Sequence, residues 1–429
     1  MRKRIVLLFY TIFGFLSTAT STGHAHSLPK FESLTASEAI VGQKTAIISG
    51  YQYHHQSTLL GEARRYQVSL PERYHMNKRR YASLYVIDAD FQFHHVAAVV
   101  KNLTRMGKIP PMIVIGIANQ GDDDYLKQTT WPVETDEAFG GAATFHRYLK
   151  EELIPLVDRQ FHTNDKKALA GYSLGGLFTL YSMMQSDSPF NAFLSMSPSA
   201  WYDDYSLPNK IKPLLEQGKI TAPVFLSVAR EEEMGVDKVV ASFEHYAGNS
   251  LNWQFKHYPS ENHFSTALPA LYDGLVFLAP DFATDGTDMV AIGDYKQVLR
   301  HFNKLSHQWA GFQFEWLQAY QFAKYLFWSK QLDQVDNVLT AIKQEFPESL
   351  AQVTIELAKG FNKRKDYERV KQLLDSVKVE GEAMPGWHKQ MRIYWQAKGN
   401  NKLAEQHQQR AIALAKQYQF ESWEVWELK

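Results

Sequence analysis

The sequence contains no cysteine, and that absence excludes several kinds of site at once. Without thiols the chain has no disulfide framework, no thiolate metal site and no cysteine that could carry a lipid anchor. The charge is also balanced, because Lys and Arg together number 46 and Asp and Glu together number 46. A balanced chain gives no reason to expect nucleic acid or an anionic membrane as a partner, and a small substrate fits better.

Apolar runs long enough to cross a membrane are missing as well. The apolar stretch over residues 5–16 is shorter than the roughly 20 residues that a spanning helix needs. It follows basic residues 2–4 and precedes small residues that lead to Ala25, which is typical of a secretory signal peptide. We therefore predict cleavage after Ala25, export to the periplasm or beyond, and no membrane span in the mature protein. Cleavage after Ala19 and an uncleaved N-terminal anchor are the alternatives.

The pattern along the chain predicts a mostly parallel α/β fold. At 429 residues the chain exceeds what one hydrophobic core usually organises, so we expect two domains. From about residue 64 onward, short runs rich in Val, Ile and Tyr alternate with longer helix-like stretches, which is typical of βαβ units. We predict a helix over residues 143–157 and strands over residues 65–70, 83–88, 112–118, 167–171, 192–196, 224–228 and 253–258.

After Pro280 the strand-like runs stop and amphipathic helices continue to the end of the chain. Polar turns precede Leu332, Tyr367 and Leu403, which are 35 and 36 positions apart and so near the period of about 34 of tetratricopeptide-like helical hairpins. An irregular helical appendage that covers the first domain is the alternative. We predict a signal peptide over 1–25, an α/β domain over 26–280 and an all-α, repeat-like domain over 288–429 that could bind a partner protein.

One glycine-rich run, Gly171-Tyr172-Ser173-Leu174-Gly175-Gly176, stands where an apolar strand gives way to a helix-forming stretch. A serine on such a turn presents its hydroxyl at the tip of the sheet, and the flanking glycines let the strand and helix backbones approach. This context is the nucleophile elbow of the α/β-hydrolase fold. We therefore predict Ser173 as a nucleophile and the backbone amide of Leu174 as one donor of an oxyanion hole.

The partners of the serine should follow it in the chain, first an acid and then a histidine. His263 meets this requirement, since it lies in a polar loop just after the predicted strand over 253–258 and can act there as a general base. The acid is expected after the strand over 224–228, where three glutamates stand in a row. Only one carboxylate can orient the imidazole, and we predict Glu232, with Glu231 and then Glu233 as alternatives.

The second oxyanion donor should be a backbone amide in the loop after the strand over 83–88, and we predict the amide of Asp90. An insertion over 119–139 follows a later strand on the side where such folds place their sites, as a lid or as a solvated loop. Its three aspartates, residues 122–124, lack the spacing of a calcium loop, so no metal is predicted.

Four runs in the α/β part of the chain are similar to a known family. They are Tyr85-Val86-Ile87-Asp88-Ala89-Asp90, Gly140-Gly141-Ala142-Ala143-Thr144-Phe145, Ala170-Gly171-Tyr172-Ser173-Leu174-Gly175-Gly176-Leu177 and Met196-Ser197-Pro198-Ser199-Ala200-Trp201. Through these runs, the segment from about residue 64 to residue 278 resembles the esterase family related to esterase D, which includes enterochelin, bacillibactin and feruloyl esterases. The resemblance implies that a small-molecule carboxylic ester is hydrolysed by a triad of Ser173, Glu232 and His263 without a cofactor. It also implies that Trp201 borders the substrate pocket, together with Phe91, which follows the predicted oxyanion donor Asp90.

The same triad leaves other functions open. A peptidase or an acyltransferase would use the same residues and differ only in the pocket and in access for the acceptor. A different class of function is a hydrolase fold without activity, whose helical C-terminal domain binds a partner protein. An acyl-enzyme on Ser173 separates the enzymes from this scaffold.

Overall fold

The computed structural model describes residues 46–76, 79–134 and 138–429, so the predicted signal peptide lies outside the described residues. Runs rich in Val, Ile and aromatic residues form one sheet, because such side chains pack well on a pleated surface. Its strands are β1 (Tyr51–Gln56), β2 (Ala63–Ser69), β3 (Tyr81–Ile87), β4 (Met112–Ile117), β5 (Thr163–Tyr172), β6 (Ala192–Met196), β7 (Val224–Ala229) and β8 (Trp253–Tyr258).

The eight strands are ordered β1-β2-β4-β3-β5-β6-β7-β8 across the sheet. β1 and β2 are antiparallel to their neighbours, and all other pairs are parallel. β3 and β4 are buried over their full length, as expected of parallel strands that are covered on both faces. The carboxyl ends of β3 to β8 therefore lie at one edge of the sheet, where parallel α/β folds place their ligands.

The sequence prediction omits β1, although the other seven strands coincide with predicted runs to within a few residues. β1 has the sequence Tyr51-Gln52-Tyr53-His54-His55-Gln56 and is mostly exposed at the edge of the sheet. A half-solvated edge strand of histidine, glutamine and tyrosine carries no strong alternation of apolar and polar residues, so its pattern does not indicate a strand.

Two apolar cores lie on opposite faces of the sheet. Leu84 and Val86 of β3 contribute to one core, whereas Tyr85 and Ile87 contribute to the other, because successive side chains of a strand alternate between faces. The predicted helix over 143–157 is helical but passes through one π-helical turn, Leu149–Leu153. The helices of this part are α1 (Ala89–Arg105), α2 (Asp122–Thr129), α3 (Ala142–Tyr148), α4 (Ile154–Gln160), α5 (Leu174–Met184), α6 (Tyr202–Tyr205), α7 (Leu207–Glu216), α8 (Val236–Tyr246) and α9 (Ala267–Leu278).

The region after residue 280 is helical, as predicted, and it shares one apolar core with a face of the sheet. Val96 of α1 and Leu271 of α9 belong to the same buried cluster as Phe302 and Phe322 of the helical region. The domain boundaries and the tetratricopeptide-like class stay predictions. The helices here are α10 (Gly286–Ile292), α11 (Tyr295–Ser306), α12 (Trp316–Trp328), α13 (Val335–Glu345), α14 (Leu350–Lys363), α15 (Tyr367–Ser376), α16 (Lys378–Gly381), α17 (Pro385–Ala397), α18 (Asn401–Gln417) and α19 (Ser422–Glu427).

None of the helices in the described part of the chain has the length and apolar character needed to span a membrane.

Candidate active site

Ser173 lies on the tight turn between β5 and α5, in a backbone conformation that L-amino acids rarely adopt. Its φ is 59° and its ψ is −122°, and its amide donates to the carbonyl of Met196 over 3.1 Å. The turn requires glycine beside it, because a Cβ on Gly171 would lie 2.0 Å from the carbonyl oxygen of Gly175. Strain of this kind persists only where the surrounding structure enforces it, and here it brings the hydroxyl to the carboxyl edge of the sheet.

His263 connects this serine to a carboxylate. Its Nε2 is 3.0 Å from Ser173 Oγ, and its Nδ1 is 2.7 Å from Oε2 of Glu231. With the proton on Nδ1, the imidazole donates to Glu231 and accepts from the serine hydroxyl. The three side chains come from the loops after β5, β7 and β8, which are parallel strands that all end at the same edge of the sheet. The structure therefore brings Ser173 and His263 together, as predicted from their order in the chain.

The carboxylate beside His263 belongs to Glu231 and not to the predicted Glu232, so that assignment is corrected. The side chain of Glu231 is only 7% exposed, whereas Glu232 and Glu233 are exposed. The cause is a second anchor, because Ser197 Oγ donates to the other oxygen of Glu231 over 2.9 Å. One carboxylate is thus held between a hydroxyl and an imidazole, and the next two residues turn toward solvent.

The two predicted oxyanion donors lie in the first turns of the helices that follow the neighbouring strands β3 and β5. Leu174 begins α5 directly after the serine, and Asp90 is the second residue of α1, which follows β3. Amides in the first turn of a helix have no partner within the helix, so they can serve an anion. The carboxylate of Asp90 is turned away to the guanidinium of Arg65, 3.0 Å from Nη2, which leaves the backbone as the available group.

Two residues around Ser173 and His263 were not predicted to have a role. The ring of Tyr172 lies 4.9 Å from the ring of His263, and its hydroxyl donates to the carbonyl of His263. Ser199 is buried, and its Oγ lies 3.3 Å from Ser173 Oγ. Burial raises the pKa of Tyr172, so its hydroxyl stays a donor. Both residues belong to the runs that carry the family resemblance, so the sequence marked their positions but gave them no role.

A half-buried carboxyl, Asp88, directly follows β3 and precedes the predicted oxyanion donor Asp90. Burial raises its pKa to about 6, and the hydrogen bond from Asn119 Nδ2 opposes that shift only in part. Its φ of 64° places it in the left-handed region, where the chain turns from β3 into α1. Asp88 thus lies at a bend that sets the position of the predicted donor Asp90.

The predicted pocket residues lie on either side of this edge. Phe91 follows Asp90 and is 77% exposed, and Trp201 is half-buried two residues after Ser199. Phe264, which was not predicted, follows His263 and is 82% exposed. Within the described residues, no group of three or more His, Asp or Glu side chains is arranged to hold a metal ion.

The chain is similar to known proteins in sequence and in fold. The model of the family described as "Putative esterase" matches residues 57–264. The serine hydrolase described as IroE-like, from Shewanella oneidensis, has a solved structure that superposes with a TM-score of 0.59 at 26% identity. That likeness covers 69% of this chain and 99% of the other. The predicted α/β-hydrolase fold is thereby confirmed.

Two curated relatives are similar in sequence over part of their length. The protein YbbA of Bacillus subtilis is 28% identical over 182 residues, which are 39% of this chain and 69% of that protein. The siderophore enterobactin esterase of Emericella nidulans is 27% identical over 175 residues, which are 33% of this chain and 58% of that protein. The chain thus spans between about half and two thirds of these relatives.

Proposed function

We propose that this chain is a carboxylic ester hydrolase of the esterase family, whose model matches residues 57–264, and that Ser173, His263 and Glu231 form its catalytic triad. The observation that supports the triad best is the unbroken pair of hydrogen bonds from Glu231 through the imidazole to the serine hydroxyl. Nucleophile, base and orienting acid in this order are the arrangement that activates a serine for acyl transfer.

In the first half of the proposed reaction, Ser173 Oγ attacks the carbonyl carbon of the ester while His263 Nε2 accepts the hydroxyl proton. Glu231 accepts a hydrogen bond from Nδ1–H throughout and stabilises the imidazolium that forms. The amides of Leu174 and Asp90 would donate to the negative oxygen of the tetrahedral intermediate. When the intermediate collapses, the carbon–oxygen bond to the alcohol breaks, and the alcohol leaves with the proton from Nε2.

The second half repeats these steps with water. His263 removes a proton from the water, the hydroxide attacks the acyl-Ser173 ester, and the acid product leaves as the proton returns to Ser173 Oγ. Both halves require an activated Ser173 hydroxyl. A fluorophosphonate reacts only with an activated serine, so it should label the protein at this residue.

For the substrate, the named relative suggests esters of siderophores. The Emericella protein is named for enterobactin, and we propose that an ester of this class is the substrate here as well. The exposed rings of Phe91 and Phe264 lie beside the oxyanion loop and beside His263, where they could contact an aromatic acyl group. Trp201 would border the same pocket from the loop after β6.

We also propose that the mature protein acts outside the cytoplasm. The support is the N-terminal sequence alone, in which basic residues, a short apolar stretch and small residues follow one another. Fractionation of the producing cells tests this proposal, and a protein found only in the cytoplasm with Met1 retained would refute it.

The direct test of the function is turnover of p-nitrophenyl acetate by the purified protein and by its Ser173→Ala variant. We expect measurable turnover and fluorophosphonate labelling in the wild type, and neither in the variant. Equal rates in both proteins would refute the assignment of Ser173. Hydrolysis of enterobactin, followed by chromatography of its products, then tests the substrate class independently of the triad.

A further inference from the structure

In the described residues the insertion between β4 and α3, predicted as a lid or a solvated loop, begins with a helix. Its first half is α2, which runs from Asp122 to Thr129 and places Tyr125 against the nucleophile turn. The Tyr125 hydroxyl donates to the carbonyl of Tyr172 over 3.1 Å and accepts from the amide of Gly175 over 2.9 Å. Burial raises the pKa of Tyr125, so the hydroxyl keeps the proton that it donates.

These two hydrogen bonds fix both ends of the segment from Tyr172 to Gly175, which includes the proposed nucleophile. Residues 172–175 contain both the strained Ser173 and Leu174, whose amide is the proposed oxyanion donor. One phenol oxygen therefore connects the residue before the nucleophile to the second residue after it. The Gly175 amide lies in the first turn of α5 and lacks a partner within the helix, so Tyr125 also satisfies a donor that would otherwise need water.

The helix that presents Tyr125 is itself firmly anchored. Asp124 accepts from Nη1 of Arg64 over 2.9 Å and from the amide of Gln120 over 2.9 Å. The side chain of Arg64 is fully buried on β2, and its guanidinium lies 6.0 Å from the ring centres of Phe145 and Tyr148. A buried, paired cation on the sheet thus fixes the start of α2, and α2 fixes Tyr125.

On the basis of the function proposed above, we infer that Tyr125 is a positioning residue for ester hydrolysis, which holds the segment from Tyr172 to Gly175 so that Ser173 and the Leu174 amide keep their catalytic geometry. Tyr125 acts through the backbone and is not assigned a contact with the substrate. Its loss should therefore affect the transition state more than substrate binding, because small displacements of a nucleophile relative to the oxyanion donors are costly.

The test is a pair of matched substitutions, Tyr125→Phe and Tyr325→Phe. Each removes one hydroxyl that donates to a backbone carbonyl, and Tyr325, which donates to Gly293 over 2.6 Å, lies in the helical region. With p-nitrophenyl acetate we expect Tyr125→Phe to lower kcat about 10- to 100-fold with KM changed less than about twofold. Tyr325→Phe should keep the wild-type kcat even if its melting temperature falls.

Thermal unfolding and a Ser173→Ala control complete the design. If the wild type shows no turnover that depends on Ser173, the proposed function fails, which is distinct from failure of the present inference. A folded Tyr125→Phe variant with wild-type kcat, or with a raised KM alone, would overturn the positioning role. Should Tyr125→Phe not fold, Asp124→Ala removes the acceptor that anchors the same helix, and wild-type kcat in that folded variant would overturn the role equally.

Discussion

Replacing Glu231 by glutamine isolates the charge of the proposed triad acid from its shape. A glutamine side chain can still accept from His263 Nδ1, so the orientation of the imidazole is kept while the negative charge is lost. We expect a large fall in kcat with little change in KM, because the charge acts on the imidazolium that exists only during the reaction. The matched control is Glu232→Gln, which removes a charge from the neighbouring exposed residue.

The size of the effect follows from the geometry. Nδ1 and Oε2 are 2.7 Å apart, which places the centres of the two charges roughly 4 Å apart. At an effective dielectric constant of about 20, such a pair interacts by about 4 kcal/mol. Because each 1.36 kcal/mol of activation free energy is about a factor of ten in rate, kcat should fall about 1,000-fold in Glu231→Gln. Glu232→Gln should stay within about twofold of the wild type.

The assay is steady-state hydrolysis of p-nitrophenyl acetate at pH 8, with circular dichroism to show that both variants are folded. Two results would refute the reasoning. If Glu231→Gln retained more than about a tenth of the wild-type kcat, the charge would contribute less than about 1.4 kcal/mol, which is less than half of the Coulombic estimate. If Glu232→Gln lost as much activity as Glu231→Gln, the correction from Glu232 to Glu231 would itself be wrong.

Three further predictions concern the support of the site. Ser197→Ala removes the second anchor of the triad carboxylate and should lower kcat about tenfold, since a hydrogen bond to a charged group contributes about 1.5–3 kcal/mol; wild-type kinetics would contradict this. Asp88 has a folded-state pKa of about 6, above its ordinary value of 3.8, so its contribution to stability is present below pH 4 and lost as the pH rises through 6. Asp88→Asn should therefore raise the free energy of unfolding at pH 8, by at most about 3 kcal/mol, and not at pH 4, as urea titrations at the two pH values would show. Gly171→Ala would place a Cβ 2.0 Å from the Gly175 carbonyl and should destabilise the protein by about 3 kcal/mol, whereas Gly248→Ala, whose Cβ meets nothing closer than 4.0 Å, should melt close to the wild type.

The meeting of Ser173 and His263 was predictable from sequence because the constraints on each position are local. One tight turn leaves little room for a side chain at Gly171 and Gly175. In the sequence this restriction appears as a glycine two positions before and two positions after Ser173. His263 follows a clear strand and stands in the order that the fold imposes. The strands themselves were predictable because alternation and apolar runs depend on each strand's own residues.

Which glutamate lies beside His263 was not predictable, because the choice depends on a residue that is distant in sequence. Three consecutive glutamates follow β7, and their sequence does not distinguish them. What selects Glu231 is Ser197, which belongs to the turn after β6 and lies 34 positions away along the chain. The role of Tyr125 was not predicted for the same reason. Its partners Tyr172 and Gly175 lie at the end of β5 and the start of α5, and its own segment is acidic and polar.

The C-terminal helices contact the sheet edge opposite the candidate active site. Trp309 Nε1 donates to Asn191, which lies just before β6, and Arg73, just beyond the end of antiparallel β2, pairs with Glu424 of α19. These positions are at the amino ends of the parallel strands, whereas Ser173 lies at their carboxyl ends. The helical region thus extends the apolar core that contains α1 and α9. The loops that follow β3 to β8 determine the shape of the proposed substrate pocket. Differences in substrate among related chains should therefore map to those loops and to α2, rather than to the helices after residue 280.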